Sequence, residues 1–122
     1  MRHQVQFISL EEDEKDILIS FVIPDKEIGV KTLLLHRTFF FEEILDEEEK
    51  GVKVSLEGEE FEQDYLNTLI KIEIKNKEIK ILSRFSEYNL DISKIGDADI
   101  NVMIKLLKKQ NYDSRFTIEI EQ

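Results

Sequence analysis

Apolar and polar residues alternate along most of this 122-residue chain with the two-residue period of a half-buried strand. From Gln4 to Ser9, Val5 and Phe7 fall on one side and Gln4 and Gln6 on the other. Ile17 to Ile23 is apolar on both sides, as a central strand requires, and Pro24-Asp25 closes it. A third strand is expected over Val30 to Arg37. A fourth follows from Val52, Val54 and Leu56 alternating with Lys53, Ser55 and Glu57. The clearest hairpin sets Ile70, Ile72 and Ile74 opposite Ile79 and Ile81, with Asn76-Lys77 as its two-residue turn. Leu90 and Ile92 suggest a short strand, and Phe116, Ile118 and Ile120 point inward from the last one.

Two stretches change to helical spacing. Phe40, Phe41, Ile44 and Leu45 follow a possible Thr38 cap and precede Gly51. Ile100, Met103, Ile104 and Leu107 form a stripe that starts after Gly96-Asp97. Acids precede that second stripe and Lys105, Lys108 and Lys109 end it, which suits the helix dipole. The Glu59–Thr68 stretch has no clear period and reads as irregular or extended. The expected fold is a single α+β domain over residues 1–122. It has a mainly antiparallel sheet of about six to eight strands with two helices packed on it.

Length and composition agree with one domain carrying a real core, since 41% of the residues are hydrophobic and eight are Phe. Without Cys there is no disulfide, thiolate nucleophile or thiolate metal site. The N-terminus carries no apolar signal-type stretch, and no apolar run is long enough to span a bilayer, so a cytoplasmic location is expected.

Charge changes the picture more. Positions 1–64 hold 7 basic and 18 acidic residues, a net −11, against 10 basic and 9 acidic, a net +1, in positions 65–122. A field of that sign repels phosphate backbones and anionic lipid, so neither nucleic acid nor membrane is an expected partner. The candidate first helix also works against itself. Glu42 faces Asp46 and Glu43 faces Glu47 at i, i+4, and Glu47, Glu48 and Glu49 crowd its negative end. On that reading, Lys at positions 47 and 48 stabilises the free protein. Acids kept against local stability mark a candidate functional surface.

Catalytic and metal motifs are sparse. His3 and His36 are the only imidazoles, and His36 at a strand end is the better candidate base. The four glycines stand apart, which excludes a phosphate-cradling loop. Asp97-Ala98-Asp99 and the loop acids could offer oxygen ligands, but without EF-hand or zinc-hydrolase spacing. The expected function is therefore a non-enzymatic protein-binding module of inhibitor or neutralising type, with no cofactor. Its acidic surface, formed by Glu42, Glu43, Asp46, Glu47 and Glu48 with Glu57, Glu59, Glu60 and Glu62, would engage a basic protein, and Phe39 and Phe61 join the contact. The alternatives are a carboxylate site for a divalent metal with hydrolase-like chemistry, or a structural domain that oligomerises through a strand edge.

Overall fold

A computed structural model describes residues 2–40 and 42–121. In chain order its elements are β1 (Arg2–Gln4), β2 (Phe7–Glu12), β3 (Asp16–Asp25), β4 (Gly29–Thr38), β5 (Lys53–Leu56), β6 (Leu69–Lys75), β7 (Glu78–Ser83), β8 (Glu87–Asp91), α1 (Asp97–Gln110) and β9 (Thr117–Glu121). Short 3-10 turns occupy Glu42–Ile44, Glu47–Glu49 and Asp64–Leu66. The strands form two sheets, a four-stranded meander in the order β2-β3-β4-β5 and a five-stranded sheet in the order β1-β8-β7-β6-β9. Most pairs are antiparallel, while β1 with β8 and β6 with β9 are parallel.

The expected arrangement of two helices on one sheet is thus incorrect: the fold is mostly β, with two sheets and one α-helix among the described residues. The stretch read as a first helix forms two 3-10 turns separated by Leu45 and Asp46, the latter in an extended conformation. Of its expected apolar stripe, Phe40 and Ile44 are exposed, and Phe41 lies outside the described residues. The break resolves the clash of charge that a continuous helix would carry. It lets Glu42 turn inward to Arg37 while Glu47 turns to Arg115 and Lys50. Gly51 takes φ +114° and leads into β5 instead of capping a helix.

The two sheets are joined twice. At Val5 and Gln6 the chain passes from one to the other, Val5 N donating to Asp91 O and Gln6 N to Val22 O. On the other side β5 meets residues 67–69, where Val54 N donates to Asn67 O and Leu69 N to Val52 O. Ile19, Phe21, Leu33 and Leu35 from the smaller sheet meet Ile72, Ile79, Ile81 and Leu90 from the larger in one core. Met103, Leu106 and Leu107 of α1 enter that core, and Ile100 and Ile104 flank it. Each aliphatic side chain fully buried in this way contributes about 1.5–3 kcal/mol of transfer free energy.

Two irregularities reverse expected facings. Crossing between sheets at Val5 and Gln6 shifts the alternation by one, so Ile8 and Leu10 pack against the core while Phe7 is exposed. A β-bulge between Leu69 and Lys71 buries Leu69 and leaves Ile70 48% exposed, although Ile72 and Ile74 stay inside. The β6–β7 turn places both Asn76 (φ 49°) and Lys77 (φ 63°) in the left-handed region, the form that matches strand twist in a two-residue hairpin.

Candidate functional site

The acidic segment after β4 is organised by a residue that strand parity alone singles out. Arg37 continues the inward series of Leu33 and Leu35, so its guanidinium is carried into the end of the core and is 0% exposed. All five of its N–H groups are engaged. Nε donates to Glu42 Oε2 at 3.1 Å and Nη2 to Glu42 Oε1 at 2.6 Å. Nη1 and Nη2 donate to Asp113 Oδ1 and Oδ2 at 2.8 and 2.9 Å, and Nη1 also reaches the Gln110 carbonyl at 2.7 Å. Two carboxylates thus grip one guanidinium as forks, the geometry that makes a buried Arg tolerable. The Tyr112 and Phe39 rings lie 4.6 and 5.7 Å from the guanidinium carbon, and Gln110 Nε2 ties α1 to the carbonyls of Ile17 and Leu35.

Burial opposes charge on Arg37, yet the hydrogen bonds to Asp113 and Glu42 prevail and hold its pKa above the ordinary value. The same contact from Arg37, helped by Arg115 and opposed by partial burial, lowers the Asp113 pKa from 3.8 to about 2. A depressed carboxyl pKa contributes stability that is present above the unfolded value and lost as pH falls through the folded one. Acid titration from pH 5 to pH 2 is therefore expected to remove stability mainly between 3.8 and about 2, and Asp113→Asn should flatten that part of the curve. Unfolding followed by fluorescence at each pH checks it; an unchanged slope in the variant contradicts the assignment.

The remaining acids of this segment divide into two groups. Glu47 receives Arg115 Nη2 at 2.9 Å and Lys50 Nζ at 3.1 Å, and the Lys53 ammonium meets the Glu49 carbonyl. Desolvation lowers the Lys53 pKa against the pull of Glu49 and Glu42. Glu43, Asp46 and Glu48 are exposed and make no ion pair among the described residues. The expected gain from Lys at position 47 does not hold, because the substitution would put a cation against Arg115 and Lys50.

The second acidic run begins where β5 ends. Glu57 Oε1 accepts from Thr32 N at 3.1 Å, and Glu59 Oε1 accepts from the Tyr88 hydroxyl at 2.5 Å. Burial and that hydrogen bond push the Tyr88 pKa up to about 12. Phe61 packs on Phe85 with ring centroids 5.8 Å apart, and its amide donates to Asp64 Oδ1. Glu60 and Glu62 project from this loop without an ion pair among the described residues. The Asp64–Leu66 turn then returns to lie against the Glu47–Glu49 turn, so the end of the second run touches the first. Glu57 sits at the far end of β5, near Asp25 and Lys31.

The smaller candidates have structural partners. His36 Nε2 lies 2.8 Å from Asp16 Oδ1 on the outward face of β3 and β4. Asp97 pairs with Lys77 at 3.0 Å across the start of α1. Phe39 packs on Tyr112 at 5.8 Å, and Lys15 Nζ lies 4.9 Å from the exposed Phe40 ring. No group of three or more His, Asp or Glu is placed to hold a metal ion among the described residues, and no helix there is long and apolar enough to cross a membrane. Sequence reasoning passed over Asp113, Tyr112 and the role of Arg37; the one available signal was an Arg in an inward register position. No protein-family model, curated protein or solved structure matches this chain.

Proposed function

We propose that this chain is a non-enzymatic binding module whose acidic surface engages a basic protein partner, as an inhibitor or neutralising protein does. One observation carries the reading. Beyond position 64 every acid except Glu87 and Asp99 takes part in an ion pair among the described residues. Before position 65 only Glu12, Asp16, Asp25, Glu42 and Glu47 do. The first half therefore keeps its negative charge facing water, where complementary charge speeds encounter and rejects partners of the wrong sign.

On this reading not every acid of the surface contacts the partner. Glu42 is committed to Arg37 and Glu47 to Arg115 and Lys50, so their part is to shape the loop. Glu43, Asp46, Glu48, Glu60 and Glu62 supply the field, with Phe39 and Phe61 beside them and Glu57 and Glu59 at its margin. The test compares the immobilised protein with a variant carrying Glu43→Lys, Glu48→Lys and Glu60→Lys, exposed positions that form no ion pair among the described residues. The expected result is a basic polypeptide retained from native lysate by the parent at low salt, released as salt rises and not retained by the variant. Equal retention by both, with circular dichroism showing both folded, overturns the proposal.

A further inference from the structure

We propose that the outward face of the four-stranded sheet binds a second copy of this chain, face to face, in a two-fold dimer. Pairing runs in unbroken register from β2 through β3 and β4 to β5, so side chains stand in rows across the sheet. One row is Glu11, Leu18, His36 and Lys53, and the next is Ser9, Ser20, Leu34 and Ser55. A third holds Phe7, Val22 and Thr32 and ends at Glu57, whose carboxylate accepts from the Thr32 amide at 3.1 Å. Pro24 opposite Val30 forms the last. Phe7, Leu18, Val22, Val30 and Leu34 lie outside the core cluster, which takes the residues that alternate with them. α1 joins that core through Met103 and Leu107, on the inward side.

Charged residues make up 36% of the chain, yet this face carries formal charge only in its end row and at Glu57. Asp16, one row further out, is held by His36 Nε2 at 2.8 Å. The other sheet differs: Lys71, Glu73, Lys75, Glu78 and Lys80 keep its outward face in water. Phe7 remains 55% exposed and Val30 50%. An apolar sheet face rimmed by charge has the character of a docking surface.

The end row says what covers it. Glu11 and Lys53 stand at its two ends, on the outer strands, about 14 Å apart. Neither forms an ion pair among the described residues, and the Lys53 ammonium reaches the Glu49 carbonyl instead of a carboxylate. A two-fold axis parallel to the strands, midway between β3 and β4, lays β2 of one copy over β5 of the other at the same level. Glu11 of each copy then meets Lys53 of the other. The same operation sets Ser20 over Leu34, Pro24 over Val30, and Phe7 over Glu57, whose carboxylate is already turned to Thr32. No like charges oppose one another in these rows. A copy turned end for end keeps each strand over itself and carries Glu11 and Lys53 apart. Four strands and four rows give a face on the order of 500 Å2 per copy, roughly 1,000 Å2 in the pair, where specific reversible interfaces begin. Of the acids offered above to a basic partner only Glu57 touches these rows, so neither proposal requires the other.

Sedimentation equilibrium of the full chain at about 0.15 M salt should show reversible dimerisation between about 1 μM and 1 mM, with no larger species, since a two-fold contact closes on itself. Glu11→Lys sets lysine against lysine at both contacts and Lys53→Glu sets glutamate against glutamate, so each should weaken the dimer at least tenfold. Glu11→Lys also brings the net charge of −10 nearer zero, so general repulsion does not account for its effect. An equimolar mixture of the two variants should restore pairing, because every Lys then meets a Glu; a merely structural role for either residue gives no such rescue. Phe7→Glu, at an exposed position outside the core, should weaken the dimer at least tenfold while the circular dichroism spectrum stays that of the parent. A monomer throughout the range would overturn the proposal and leave the face to a different partner. So would a dimer indifferent to these changes, a mixture no better than either variant alone, or assembly beyond the dimer.

Discussion

Arg37→Met should cost the protein about 3–5 kcal/mol of unfolding free energy, the range found when one partner of a buried ion pair is removed. The loss comes less from the contacts of Arg37 than from what it leaves behind. Glu42 is buried, and without the guanidinium its carboxylate keeps a long hydrogen bond from Gly51 N at 3.4 Å. Asp113 keeps Arg115 at 2.6 Å but loses its second fork. Arg37→Lys is expected to fall between the parent and Met, since an ammonium cannot fill two forks at once. The decisive comparison adds Glu42→Gln and Asp113→Asn to Arg37→Met, which should recover part of the loss because no buried charge then stands alone. Urea unfolding gives these values, with the midpoint shifting at constant slope. The deficit of the single variant should also narrow below pH 3.8, where the parent itself begins to lose the contribution of Asp113. A deficit under about 1 kcal/mol at neutral pH, the range of a surface pair, would show that water reaches the cluster.

That cluster marks the limit of what the pattern of residues discloses. Periodicity located the β3 and β4 strands, the β6–β7 hairpin and α1, because each carries its own register in local sequence. It placed Val52, Val54 and Leu56 inside for the same reason. It failed on the Glu42–Glu49 segment, where the apolar spacing suits a helix but Glu42 turns back to the Arg37 it shares with Asp113 and Glu47 turns to Arg115. Asp113 and Arg115 lie more than sixty positions away, and nothing local announces them. The division into two sheets was equally hidden. Strand alternation gives facing but not neighbours, and the crossing at Val5 and Gln6 interrupts what reads as one strand. The acidic surface was legible as composition. Which acids lack an ion pair among the described residues depends on the fold, in which Glu42 pairs with Arg37 and Glu47 with Arg115.

Register supplies the second large effect, because the bulge in β6 sets two similar residues in opposite environments. Ile70 and Ile72 share one face in a regular strand, and the same substitution at either would then do the same harm. Here Ile72 is 0% exposed between Ile81 and Ile118, whereas Ile70 is turned to solvent beyond Leu69. Ile72→Lys removes a packed aliphatic group and introduces an ammonium for which the core holds no partner, so a loss of several kcal/mol, on the order of 4, is expected. Ile70→Lys exchanges an exposed apolar side chain for a charged one and should change stability by no more than about 0.5 kcal/mol. Thermal melts of the two variants under one buffer condition separate these outcomes. If both unfold at markedly lower temperature, Ile70 is buried and the β6 strand is regular; if neither does, the core does not pass between β7 and β9 at this level.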